Sequence, residues 1–531
     1  MIIKTLKNIL TSWSYWLGLC SGILFITLNV TGKRFTHFPG DLGDARFNIY
    51  LLEHAHKFIT GDAESLWNAP FMYPESNVIT YSENLAGTAP FYSVFRILGF
   101  ARETSFQWWF LLITGLNYAF CYLFLKNLLG NQYAALLGAF VFAFSLSLQS
   151  QMTHAQTFTR FPIPLTFWMI FLFSKGLNPK YYFAALLFLA YQLYCGIYLG
   201  LLLLIPFSLM ILFSLLFCSS ALKKNLEDFR WWLKITAASL IVLLISLPLI
   251  VPYVHRANQL GLYQYENIIN TVPTFKSFFF SQQGSFFWDF LSDIAKEHQA
   301  WWDHQIFAGA IATICLIFFV VVFISKIIKK NSFRQFQLNP YLVAIFLTFL
   351  LTFFFFTRIE KFSCYWLIFK LPGFGALRSL TRIINIELIF FSVATGFVFN
   401  ILFRKNKWLN ICFFIVLLGL IMVDNYLKEG YSYRTEKSMA QARINDLTEK
   451  MEKIPEGTVV SYEPVIMETY SIFYQLDAML ASQKLNLIAI NGYTNTSPPG
   501  YNNYWYNMSD DAREEWLRMF NFSADTIIVI H

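Results

Sequence analysis

The sequence predicts an α-helical polytopic membrane protein of about eleven transmembrane helices, closed by a small C-terminal α/β domain. Three observations carry that prediction. Of the 531 residues 56% are hydrophobic and only 14% are charged, at a mean hydropathy of +0.47, which is more apolar surface than a soluble fold of this length can cover. Apolar runs of about 17 to 23 residues, long enough to cross a hydrocarbon core of about 30 Å as helices, recur near 13–31, 106–125, 132–149, 158–174, 181–198, 199–218, 233–252, 306–325, 340–357, 383–403 and 409–426. From 427 onward the apolar runs stop and the pattern becomes that of a soluble chain.

The first run has no small-residue cleavage site and reads as a retained anchor. With the N-terminus in the cytoplasm, one side of the membrane receives Lys4, Lys7, Lys126, Lys175, Lys180, Lys223, Lys224, Arg230, Lys234, Lys326, Lys329, Lys330, Arg334, Arg404, Lys405 and Lys407, opposed only by Glu227 and Asp228. That asymmetry is what the positive-inside rule selects. The formal charge of +8 is therefore a topology signal and gives no reason to expect nucleic acid. The opposite side holds the long loops 32–105, 253–305 and 358–382, and an odd number of spans leaves the tail there too. Six of seven cysteines fall in the spans and Cys364 stands alone outside them, so neither disulfides nor a cysteine metal site is expected.

In the first loop, Asp44 to Phe58 carries apolar residues at Phe47, Tyr50, Leu51, Ala55 and Phe58, the spacing of an amphipathic helix lying at the membrane surface with Phe and Leu towards lipid or protein. Trp67 to Pro74, broken by two prolines, predicts an ordered aromatic turn. In the tail, a polar helix running to Lys453 precedes strands at Gly457–Tyr462, Leu485–Ile490 and Thr526–Ile530. Residues 1–426 thus form the membrane domain and 427–531 the small outer one.

Chemistry is expected in the first loop, where Asp41, Asp44, Arg46, Glu53 and His54 crowd into a chain otherwise sparing with charge. Asp after Gly routinely caps a helix, and Asp41 and Asp44 both follow Gly. Asp44 also belongs to a polar cluster that capping does not require. An ionised carboxylate at that place can take a proton from a hydroxyl or hold a divalent cation such as Mg or Mn. The second cluster is Leu371-Pro372-Gly373-Phe374 through Arg378 to Arg382. Two arginines four apart on one helix face make a phosphate clamp or a lipid-headgroup anchor, and Arg382 is the expected partner of the intramembrane Glu387. His154, Gln156 and Arg160 form a short polar outer loop that either contacts substrate or is simply solvated.

These motifs, with Asn491-Gly492-Tyr493 and Pro498-Pro499 near the end, resemble the GT-C superfamily of membrane glycosyltransferases, and more closely a bacterial multi-pass set within it. The resemblance implies a polyprenyl-phosphate-sugar donor, a glycan, lipid or protein acceptor and a bacterial inner membrane with the C-terminal domain outside the cytoplasm. It implies Asp44, then Asp41, as catalytic base or metal ligand. It implies phosphate or substrate contacts from Arg378, Arg382, Arg46, Glu53, His54, His154 and Arg160. The competing class is a non-enzymatic lipid-linked glycan translocator or assembly scaffold, which would favour polar residues deep in several spans or broken-helix repeats.

Overall fold

The computed structural model describes residues 12–32, 34–217, 219–328, 339–402, 407–522 and 527–531. Of the cytoplasmic-side charges, Lys4, Lys7, Lys329, Lys330, Arg334, Arg404 and Lys405 lie outside these residues, as does Thr526 of the last expected strand. A helix stands over each of the eleven apolar intervals, from Trp13–Gly22, continued through a π turn to Thr31, to Lys407–Asp424. Among the described residues six are long and apolar enough to cross a membrane: Trp13–Thr31, Arg102–Leu129, Gln132–Gln149, Ile197–Phe217, Phe229–Leu260 and Leu380–Leu402. Ala310–Lys326, Pro340–Phe356 and Trp408–Asp424 are apolar but shorter. The chain is an integral membrane protein. Phe229–Leu260 runs 32 residues, well past its expected end at 252, because its last turns leave the apolar run and carry Arg256 to the first loop. The helix Ile384–Leu402 is buried along most of its length and packs on its neighbours from all sides, which makes it the core of the helical region.

The amphipathic segment of the first loop is helical from Asp44 to Thr60, but its setting differs from expectation. Every residue from Ala45 to Ala55 is buried, so the helix is a packed core element and does not rest on lipid. Its polar side is covered by the tail. The helix Ser471–Lys484 lies along it, and there Arg46, 2% exposed, forms an ion pair with Asp477, which also accepts from Arg443 Nη2 at 2.6 Å. Gln483 Nε2 donates to the carbonyl of Tyr50 at 3.0 Å, and Lys57 Nζ to that of Gln483 at 2.6 Å.

The tail folds as a three-stranded parallel sheet in the order Ile488–Ala489, Val459–Tyr462, Ile528–Ile530, backed by the helices Lys437–Met451 and Ser471–Lys484. Leu447, Met451, Val460, Ala478, Ala481, Leu487 and Ile530 form its own small core. Two pieces of backbone tie it to the first loop. His37–Pro39 pairs antiparallel with Arg434–Glu436. The expected aromatic turn runs beside the sheet edge, with Ala489 N–H on the Pro70 carbonyl, Tyr73 N–H on that of Ala489 and Met72 N–H on that of Asn491, at 3.1 to 3.2 Å. The close approach requires a glycine at 492, since a Cβ there would stand 2.2 Å from Met72 Cγ.

Removing Asp477 strands a buried guanidinium, so Asp477→Ala should destabilise the docked tail by about 3–5 kcal/mol. Thermal unfolding in detergent, read by protease release of the tail, measures it. A loss under about 1 kcal/mol would show that the pair does not hold the tail down.

Candidate functional site

The site is built at the N-terminus of the Asp44–Thr60 helix. Asp41 Oδ1 accepts the N–H of Gly43 at 3.1 Å and of Ala45 at 3.3 Å. Asp41 thus binds backbone N–H groups at the helix end through one of its two oxygens. That leaves the Asp44 carboxylate free for other partners at the positive end of the helix dipole. Gly40, at φ +99°, lets the strand His37–Pro39 turn into the helix under the chain at Met152, whose carbonyl would lie 3.0 Å from a Cβ at this position. The same close approach brings His154 over Asp44, with Nδ1 3.0 Å from Oδ2.

The other oxygen, Oδ1, accepts the hydroxyl of Tyr493, whose ring is set edge-on to Phe47 at 5.2 Å and lies 5.6 Å from Trp505. Burial alone would raise the pKa of Asp44. His154, then the Tyr493 hydroxyl and the Arg382 charge, outweigh it and hold the carboxyl below its usual 3.8. Asp44 is therefore ionised at neutral pH, and the same contact pushes the Tyr493 hydroxyl upward, behind the larger effect of its own burial.

The arginines come to the same place along a different path from the expected one. Arg378 precedes a 3₁₀ turn, Leu380–Ile383, with Ser379 extended between them, so the two do not share a helix face. Arg378 Nη2 donates to Asn495 Oδ1 at 2.9 Å. Asn495 and Tyr493 are two residues apart, which in an extended chain is about 7 Å, so one short stretch of the tail touches both Asp44 and Arg378. Arg382, 9% exposed, lays its guanidinium 4.9 Å from the centre of the Tyr198 ring and acts electrostatically on Asp44. It is not the partner of Glu387, whose carboxylate oxygens are buried without a hydrogen bond.

Four expected site residues do other work. Arg46 is spent on Asp477. Glu53 is gripped by Arg96 through Nε at 2.8 Å and Nη2 at 2.9 Å, and accepts from the Tyr92 hydroxyl at 2.7 Å. His54 Nε2 faces the carbonyls of Ser65 and Leu66, and burial pushes its imidazole down to about 4, so it is uncharged at neutral pH and no anion ligand. Arg160 is buried at the Thr157 carbonyl, beside Asn385. Arg46 lies two residues from Asp44 on the side that the tail covers, Glu53 and His54 lie further along the helix beside a separate cavity between the first loop and the tail, and Arg160 lies inside the helical core.

For a divalent cation the residues present do not fit. Among the described residues no three His, Cys, Asp or Glu side chains converge as ligands. Both Asp44 oxygens are engaged, and one of Asp41 faces the backbone. Sequence reading missed Asn495, Tyr198 and Glu83 as neighbours of this site. Glu83 gave no readable signal, standing in the polar run Ser82-Glu83-Asn84 of the first loop.

The chain matches no protein-family model and no curated protein. Its described similarities are to solved structures of the oligosaccharyltransferase of Archaeoglobus fulgidus, a protein of GT-C fold. Against the apo form it is 11% identical over 93% of this chain and 66% of that one, at a TM-score of 0.49. Against the complex with Zn and sulfate the values are 10%, 90%, 62% and 0.46. Against the archaeal enzyme AglB in complex with an inhibitory peptide and a dolichol-phosphate they are 11%, 91%, 65% and 0.44. The chain thus spans 62–66% of the length of the structures it resembles.

Proposed function

We propose that the chain is an integral-membrane glycosyltransferase that moves a sugar from a polyprenyl-phosphate donor to an acceptor hydroxyl on the extracytoplasmic side. The observation that carries this reading is the junction at Tyr493 to Asn495, which sets an ionised Asp44 and the Arg378 guanidinium against one another across a site roofed by the tail. In this reading the eleven helices all span, residues 427–531 form an outer-side domain, and the donor lipid reaches the arginines from the bilayer.

The chemistry follows from the groups present. The acceptor oxygen forms a bond to the anomeric carbon while the bond from that carbon to the phosphate oxygen breaks, and the phosphate leaves with the electron pair. Asp44 takes the hydroxyl proton as the new bond forms, and His154, 3.0 Å away, is placed to carry it on. Charge grows on the phosphate as it departs, and Arg378 and Arg382 stabilise that charge in a partly dehydrated cleft. No step is routed through a cation.

Asp44→Asn keeps size and hydrogen bonding but removes the charge, so the protein should insert and fold while transfer falls by about 10² or more. Were Asp44 only a cap, Asn would serve as well. Arg378→Lys loses the planar donor fork, and transfer should drop clearly if it binds phosphate, but not if it anchors headgroups. The readout is transfer from a polyprenyl-phosphate sugar in proteoliposomes. Full activity in both variants would favour the translocator or scaffold.

The pH profile gives an independent check. Transfer requires Asp44 ionised, and its depressed pKa keeps it so throughout the neutral and mildly acidic range. Tyr493→Phe removes one of the groups that depress it, so the acid limb of the rate profile should move to higher pH. An unmoved limb would mean that activity does not depend on the charge of Asp44.

A further inference from the structure

Glu83 lies in the turn before the helix Ala89–Ile97 and is 7% exposed. Its Oε1 accepts the N–H of Tyr198 at 3.3 Å, in the first turn of the helix Ile197–Phe217, whose dipole favours an anion there. Its Oε2 is buried and has no hydrogen-bond partner. A buried carboxylate oxygen left without a partner is costly and is not needed for a cap that Oε1 already makes. The titratable and charged groups facing Glu83 are Arg382 and the Tyr253 hydroxyl. Tyr253 is committed to the carbonyl of Ser82 at 2.7 Å. Arg382 has no carboxylate within ion-pair distance among the described residues, although it acts electrostatically on both Asp44 and Glu83.

We propose that Glu83 is the positioning residue of the phosphate site, and that a lipid phosphate binds at Arg382 together with uptake of a proton by Glu83 Oε2. This rests on the reading that Arg382 holds the phosphate of a lipid-linked sugar. Ionised Glu83 draws the guanidinium toward itself and repels an incoming phosphate. Once protonated it does neither, and Arg382 is released to the ligand. Burial, opposed by Arg382 and the helix N–H groups, already pushes Glu83 up to about 7, so the change falls in the neutral range. A second anion beside it raises its proton affinity further. The proton comes from solvent, and no covalent bond changes.

The sign separates this from the phosphate's own titration. A phosphate monoester, whose second pKa is about 6, loses protons when it binds a cationic site, so net uptake has to come from the protein. The test is calorimetric titration of the full chain in nanodiscs with polyprenyl phosphate at pH 7.5, in two buffers of different ionisation enthalpy. The expected result is net uptake of a fraction of a proton per lipid bound, with Kd weakening by up to about tenfold per pH unit above 7. E83Q keeps an oxygen for the Tyr198 N–H, and should bind several-fold more tightly at pH 8 and lose the uptake. Net proton release by the wild type, or unchanged uptake in E83Q, overturns the proposal, and the wild-type measurement decides alone if E83Q fails to fold. Inorganic phosphate bound with the same uptake, but no lipid bound, overturns the lipid assignment. Lipid bound with proton uptake but no sugar transfer overturns the transferase reading and leaves this linkage standing. No binding of either ligand overturns both.

Discussion

The site depends on how the tail is clamped to the first-loop helix. Asp477 sits between Arg46 and Arg443, and its ion pair with Arg46 lies out of water, where removing one partner costs far more than the pair contributes net. Such a contact selects one arrangement over its neighbours, because a slip of the helix Ser471–Lys484 by a turn would bury Arg46 unpaired. The hydrogen bonds of Gln483 and Lys57 further along the same two helices hold that register at the other end. With the register fixed, Tyr493 arrives over Asp44 and Asn495 over Arg378.

Within that frame two aspartates three residues apart take opposite jobs. Asp41 satisfies backbone donors at the helix end, which frees Asp44 to face His154, Tyr493 and the field of Arg382. Around them the charges are sorted by distance. Arg46, Glu53 and Arg96 are held in close ion pairs. Arg382 and Glu83 face each other without closing a salt bridge, and groups left in that condition respond to a ligand's charge.

The class of the protein was legible because hydropathy and length are local properties. Among the described residues a helix lies over each of the eleven apolar runs, and the helix starting at Asp44 came from the spacing of its apolar residues. The same periodicity could not say what would cover the helix. The sequence of Phe47, Tyr50 and Leu51 is equally good against lipid and against protein, and the deciding residue, Asp477, lies more than 400 positions away. Arg46, Glu53 and His54 stood out for their density along the chain. In three dimensions they pair with Asp477, Arg96 and two carbonyls. His154 contacts Asp44, Arg382 acts on it electrostatically, and Arg378 reaches the same short stretch of the tail that Asp44 does. The tail helix Ser471–Lys484 went unread, since its buried polar residues Gln475, Asp477 and Gln483 mask an apolar stripe.

The antiparallel pairing of His37–Pro39 with Arg434–Glu436 joins stretches that lie nearly 400 residues apart along the chain. The first loop is made long before the tail that covers the polar side of its helix, and Arg46 waits unpaired until Asp477 has been synthesised. Contacts of such sequence separation form late and leave sticky intermediates in the meantime. Until Tyr493 and Asn495 have been made, the Asp44 carboxylate lacks its hydroxyl partner and the Arg378 guanidinium its amide.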